Sequence, residues 1–205
     1  MDTNTTGVAR ALEREFGRPR RRRSSLLECL VKTILSQNTN DDLRDAAYEA
    51  ILRELGSLER LRDAPPEEIE RLIRPAGLPK QKSRAIKEIF KIDLKRVCKM
   101  EPEEAYRLLT SLKGIGDKTA KVCLLFVCRM PFFPVDTHIA RVASRMGLAS
   151  GSRERISRRL EELFDPKDYY PLHINLMRLG RAYCKPRNPL CSSCPVRDYC
   201  ASANE

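Results

Sequence analysis

The sequence predicts an all-α protein, on three observations. Apolar residues recur at helical spacing behind polar caps, as Leu27, Leu30, Val31, Ile34 and Leu35 do. Prolines stand at the starts of several such stretches and glycines at their ends, the asymmetry expected of helix termini. No convincing run of alternating apolar and polar residues occurs anywhere.

Taken in order, a short helix is expected over residues 7–16, followed by the basic run Arg18-Pro19-Arg20-Arg21-Arg22-Arg23. Such a run usually serves as a solvated connector and less often as a DNA contact. Ser25-Leu26-Leu27-Glu28 is a capping box, and the helix behind it should stop near Ser36. Gln37-Asn38-Thr39-Asn40 is polar and cap-forming, and Asp41 and Asp42 open a second helix that closes at Leu55-Gly56. Further helices are expected over 57–62, 66–73, 83–92 and 102–110, with Gly77-Leu78-Pro79-Lys80 forming a tight loop that carries one apolar residue at its tip. A helix with Val122, Leu124, Leu125 and Val127 should run to Met130-Pro131, and Phe132-Phe133-Pro134 should be extended. Asp136 or Thr137 then caps a helix through Ala140, Val142 and Met146, and helices over 152–164 and 167–183 lead into a cluster of cysteines.

Composition narrows the function classes. Lys and Arg outnumber Asp and Glu by 39 to 28, a formal charge of +11, which favours a polyanionic partner and nucleic acid first. Aromatic residues are 6% and Trp is absent, which argues against a surface of stacking platforms for single strands. No apolar run reaches membrane-spanning length, and Met1-Asp2-Thr3-Asn4 lacks a signal-peptide layout, so a soluble cytoplasmic protein with no membrane partner is expected. Eight cysteines in such a chain point to metal binding or chemistry before disulfides.

The stretch Leu112-Lys113-Gly114-Ile115-Gly116-Asp117-Lys118-Thr119-Ala120-Lys121 organises the rest. Two glycines one residue apart let the chain turn sharply between helices and expose amides that can grip a phosphate. Lys118 falls in the first turn of the next helix, where the helix dipole and desolvation both disfavour an ammonium charge, which makes it a candidate nucleophile. Eighteen residues on, Val135-Asp136-Thr137-His138 places a carboxylate at the start of another helix, where it could face that amine.

Cys184, Cys191, Cys194 and Cys200 form a C-x6-C-x2-C-x5-C array. Four thiolates this close can hold one tetrahedral zinc or one cubane iron-sulfur cluster. Zinc sites usually pair two short Cys-x2-Cys hooks; here a single hook is flanked by gaps of six and five, which favours iron-sulfur. Lys185, Arg187 and Arg197 decorate the loops so tied and could present cations to a DNA backbone. Cys29, Cys98, Cys123 and Cys128 lie in apolar helical surroundings and are expected in the core.

The Gly-x-Gly hairpin with Lys118, the Val135-Asp136-Thr137-His138 element and the four-cysteine tail, in this order, resemble the endonuclease III family of helix-hairpin-helix DNA glycosylases over about residues 26–200. The resemblance implies a six-helix barrel domain at 26–131, a second helical domain from 1–25 and 132–205 that holds a [4Fe-4S] cluster on the four cysteines, and a DNA cleft between them. It implies that Lys118 attacks the sugar anomeric carbon, that Asp136 assists, and that the resulting Schiff base permits β-elimination. Relatives that remove adenine without strand cleavage carry serine at the position of Lys118, and mismatch thymine relatives carry tyrosine, so lysine implies the bifunctional branch. DNA contact is implied for Gly114, Ile115, Gly116, Lys121 and His138, the last as a structural or phosphate-contacting residue. The family fills the gap left by a flipped base with a glutamine, where this chain has Asn38 beside Gln37, and with an apolar wedge matched by Leu78. His173 reads as a packed core histidine.

The implied function is a monomeric glycosylase and AP lyase acting on double-stranded DNA with damaged bases, oxidised pyrimidines by family default, or abasic sites, nucleoid-associated in a prokaryote. Another lesion or a mismatched or modified pyrimidine is the alternative within enzymes. A non-catalytic DNA-binding or redox-sensing iron-sulfur protein is the rival class, against which Lys118 and Asp136 both count.

Overall fold

The computed structural model describes residues 3–203, which form helices and connecting turns with no strand among them. Among these residues the α-helices are α1 (Thr3–Phe16), α2 (Leu26–Leu35), α3 (Asp41–Leu55), α4 (Pro66–Leu72), α5 (Pro79–Ile89), α6 (Leu94–Val97), α7 (Pro102–Thr110), α8 (Asp117–Cys123), α9 (Thr137–Arg145), α10 (Arg153–Leu163) and α11 (Tyr169–Ala182). None is long and apolar enough to cross a membrane. The chain divides into a mid-chain unit, Arg23–Met130, and a terminal unit that joins the residues up to Arg22 with those from Pro131 onward.

In the mid-chain unit α2 is the central element. Ser25 accepts a hydrogen bond from the Glu28 amide as the capping box requires, and Leu26, Leu27, Leu30, Val31, Ile34 and Leu35 are buried against α3, α5, α6 and α8. Each such side chain contributes about 1.5–3 kcal/mol on burial. Surface ion pairs such as Arg53–Glu54 contribute about 1 kcal/mol at most, so the packing of α2 and not the charge pattern holds this unit.

Several local expectations shift. The stretch expected to be helical over 57–62 is a 3-10 turn at Glu59–Arg62, and α5 begins at Pro79, four residues before its expected start, because Pro at the first helical position forfeits no hydrogen bond. The short α6 was not signalled by periodicity. Behind the hairpin, α8 gives way at Leu124–Cys128 to a π turn that closes on Arg129 in a left-handed conformation. Lys87 of α5 donates to the carbonyls of Leu61, Arg62 and Ala64, satisfying groups the 3-10 turn leaves open.

The cysteine expectation needs correcting in this unit. Cys98 is exposed and Cys128 half-buried, and the two form a disulfide; Cys29 and Cys123 remain free thiols. Cys98 ends α6 and Cys128 ends the π turn, positions whose proximity (Cα–Cα 4.7 Å) no local pattern announces. The bond spans a sequence separation of 30 and so closes a loop containing α7, the hairpin and α8. Loop-closure entropy gives such a crosslink about 3–4 kcal/mol. The double substitution Cys98→Ser with Cys128→Ser should therefore lower Tm by on the order of 5–10 °C under non-reducing conditions. Under reducing conditions the difference should vanish, and a melting point equal to the parent's in both conditions would contradict the crosslink.

In the terminal unit α11 packs against α9 and α1. The extended segment after Pro131 is pinned from two helices. The Phe133 amide donates to Glu161 Oε1 at 2.7 Å, Ser157 Oγ donates to the Phe133 carbonyl at 2.7 Å, and His173 Nδ1 lies 2.9 Å from the Pro134 carbonyl. A carbonyl can only accept, so Nδ1 carries the proton and His173 is a satisfied buried histidine. The arginine run is largely exposed, as expected of a connector, yet it is tied down at several points. Arg18 pairs with Glu13 and Asp168, Tyr170 donates its hydroxyl to the Arg20 carbonyl at 3.2 Å, and Arg21 lies over the Tyr170 ring at 4.3 Å.

Candidate active site and cluster-binding loop

The hairpin joins α7 to α8. Gly114 has φ +88°, and a Cβ there would stand 2.5 Å from Ala85 Cβ on α5, so both conformation and packing demand glycine. Gly116 precedes α8 in extended conformation with no side chain capping the helix, which leaves first-turn N–H groups for an outside acceptor. Ile115 is 3% exposed and its amide donates to the Leu112 carbonyl at 3.0 Å, which packs it into the turn.

Lys118 stands in the first turn of α8 with an exposed side chain. The burial expected of it from the sequence is not found. Lys121, one turn on, is turned inward. It is 7% exposed, lies 3.5 Å from Asp117 Oδ1 and faces the Tyr106 ring, while Tyr106 donates its hydroxyl to the same carboxylate oxygen at 2.9 Å. So placed, the ammonium braces α8 against α7.

The two gap-filling alternatives also separate. Gln37 is half-buried and its Nε2 donates to the Gly114 carbonyl at 3.4 Å, tying it to the hairpin turn. Asn38 is exposed with φ +52°. Leu78 is 47% exposed, also left-handed at φ +50°, and stands at the N-cap of α5.

In the terminal unit Asp136 caps α9 and is 9% exposed; its Oδ1 accepts from the Ile139 amide at 2.8 Å. His138 is half-buried, with Nδ1 3.2 Å from Arg141 Nη2. Arg141 also donates to the carbonyls of Gly180 (2.8 Å) and Cys184 (2.8 Å). Arg145 donates to Cys184 Sγ at 3.5 Å and to the carbonyls of Lys185 (2.7 Å) and Pro186 (3.0 Å). The helix that begins at Asp136 thus clamps the first cysteine of the array.

Cys184, Cys191, Cys194 and Cys200 are free and line one cavity of about 150 Å³ together with Arg145, Tyr183 and Leu190. Burial pushes the Cys194 and Cys200 thiols up, so a bound metal must displace protons there. Among the described residues no three His, Cys, Asp or Glu gather around a single-ion position; the four thiols stand around a cavity instead. That donor set, four soft sulfurs on a mostly apolar wall, suits an iron-sulfur cluster.

Residues 31–166 match the model of the HhH-GPD superfamily of base excision DNA repair proteins, and residues 184–200 match the iron-sulfur binding domain of endonuclease III. Endonuclease III of Sulfolobus acidocaldarius is 38% identical over 177 residues, 83% of this chain and 79% of that protein. The chain belongs to the endonuclease III family. Endonuclease III of Thermotoga maritima is 30% identical over 194 residues, covering 94% of this chain and 90% of the relative. The fold matches a trapped endonuclease III–DNA covalent intermediate with TM-score 0.81 at 24% identity, over 100% of this chain and 98% of that one. As an endonuclease III family member the protein is an enzyme of base excision repair, a DNA glycosylase and AP lyase, its partner is DNA, and its cofactor is a [4Fe-4S] cluster. Cys184, Cys191, Cys194 and Cys200 would hold the cluster, which would tie the loops over 184–200 together.

Sequence reasoning missed Arg141 and Arg145, whose carbonyl and sulfur partners lie 39 or more residues away along the chain. Their spacing of four on one helix was the only available signal.

Proposed function

We propose that the protein excises oxidised pyrimidines from double-stranded DNA and cuts the strand at the abasic site so formed, with Lys118 as nucleophile and Asp136 as the assisting carboxylate. The observation that carries this reading is Lys118 itself: an exposed amine in the first turn of α8, directly after a glycine turn whose amides no side chain caps. The amine would attack C1′ as the C1′–N bond breaks and the base leaves with the electron pair. Opening of the sugar ring gives the imine, loss of a C2′ proton follows, and the C3′–O bond breaks to release the 3′ phosphate. Asp136 would offset the positive charge that develops on the sugar. Exposed Gly116 and the first turn of α8, with Lys185, Arg187 and Arg197, would hold phosphates, while Asn38 and Leu78 would fill the gap left by the flipped base. The reading has the protein acting as a monomer in the cytoplasm, at the nucleoid in a prokaryote.

An incision panel tests the substrate. Duplexes carrying thymine glycol, 5-hydroxycytosine, uracil, 5-methylcytosine, an abasic site and T·G or A·G mismatches should be cut at the first two and at the abasic site. Cutting confined to a mismatch or to uracil would overturn the oxidised-pyrimidine reading.

Asp136 permits a separation of fold from chemistry. Asparagine caps a helix as well as aspartate does, whereas alanine forfeits about 1 kcal/mol. Asp136→Asn should melt like the parent yet lose on the order of 100-fold in single-turnover excision; Asp136→Ala should lose both. An Asn variant of parental rate would remove the carboxylate from the reaction.

A further inference from the structure

Lys82, in α5, is 1% exposed. Its Nζ donates to the Leu35 carbonyl at 2.8 Å and to the Ala76 carbonyl at 2.7 Å. These two carbonyls have a common feature. Leu35 ends α2, three residues before Asn38, and Ala76 ends the 3-10 turn Arg74–Ala76, two residues before Leu78. Asn38 and Leu78 are both exposed and both left-handed; asparagine tolerates that conformation, whereas leucine keeps it only where its surroundings impose it. One buried ammonium therefore grips the roots of both turns.

An ammonium is a costly group to bury, and burial pushes its pKa down. An apolar side chain of similar length would fill the same volume without desolvating a charge. Lys82 also lies on the same face as buried Ala85, Ile86 and Ile89, where core packing alone would call for a hydrophobe. What lysine adds is a donor that reaches two carbonyls on separate elements, one of them at the negative end of α2.

We propose that Lys82 is a positioning residue for base extrusion, fixing the Asn38 and Leu78 turns relative to each other so that both enter the space a flipped base vacates. This rests on the reading of Asn38 and Leu78 as gap-filling residues. Removing the ammonium should let each turn relax separately, slowing extrusion without touching the imine chemistry.

The experiment compares Lys82→Met, Lys82→Arg and the double variant Asn38→Ala with Leu78→Ala. Extrusion is followed by stopped-flow fluorescence of 2-aminopurine beside thymine glycol in duplex DNA, and excision by single turnover. Borohydride trapping on a single-stranded abasic oligonucleotide, which needs no extrusion, is the control. Lys82→Met should lose roughly 10- to 100-fold in extrusion and duplex excision, keep single-strand trapping within about twofold, and be rescued in large part by Lys82→Arg. Should the Met variant not fold, Lys82→Gln, which keeps N–H donors without the charge, takes its place with an intermediate loss expected. Equal losses in duplex and single-strand reactions, or parental extrusion in a folded Lys82→Met or Lys82→Gln variant, would overturn the positioning role. If the double variant keeps parental extrusion, the gap-filling reading fails by itself; if it loses extrusion while the Lys82 variants do not, only the present inference fails.

Discussion

Replacing Lys118 with Gln is expected to abolish borohydride trapping on abasic duplex DNA while leaving binding measurable. Trapping requires a primary amine, because only an imine gives a covalent adduct on reduction, and an amide cannot form one. The variant should fold as the parent does. Lys118 is exposed, Gln is nearly as good a helix former, and removing a cation from the first turn of a helix is if anything favourable. Strand cleavage should fall with trapping, since β-elimination proceeds through the same imine, and the loss should reach about 1,000-fold, near 4 kcal/mol in the barrier. Lys121 offers no substitute, buried as it is against Asp117 and Tyr106. A Lys118→Gln protein that still traps would sink the nucleophile assignment.

The second large effect concerns the cluster. Cys194→Ser removes one of four sulfurs from the cavity, and the visible absorbance of the cluster should be lost with it. Structural metal sites contribute on the order of 10 kcal/mol to the folding of small metal-bound domains. Only part of that is expected here, because α9, α10 and α11 have their own buried contacts, so a Tm decrease of about 10 °C or more is the expected result. The loss should spread to α1. Tyr199 packs so tightly on Gly7 that a Cβ there would stand 2.4 Å from Tyr199 Cε1, and Tyr183 donates its hydroxyl to Glu15. Gly7→Val should accordingly speed bleaching of the cluster by a chelator although it lies far from the cysteines in sequence. Full absorbance and unchanged melting in Cys194→Ser would show that this cysteine is not a ligand.

What the sequence determined by itself is what depends on near neighbours in the chain. The caps at Ser25, Asn40, Asp136 and Ser152 each bind an amide three residues on, so residue type and spacing suffice to read them. The glycine turn before α8 and the spacing of the four cysteines are local for the same reason, and together they made the family recognisable. The tertiary structure alone decided which polar groups meet across elements. It turned Lys121 inward, spent the Ile115 amide within the turn, tied Gln37 to the Gly114 carbonyl and joined Cys98 to Cys128. Lys82 belongs with what the tertiary structure decided. The sequence leaves it outside the helix expected over 83–92, and only the start of α5 at Pro79 sets it on one face with Ala85, Ile86 and Ile89, where a buried ammonium needs acceptors. Which acceptors they are could not be read from the sequence, because Leu35 is 47 residues away and a carbonyl is offered by every residue type alike.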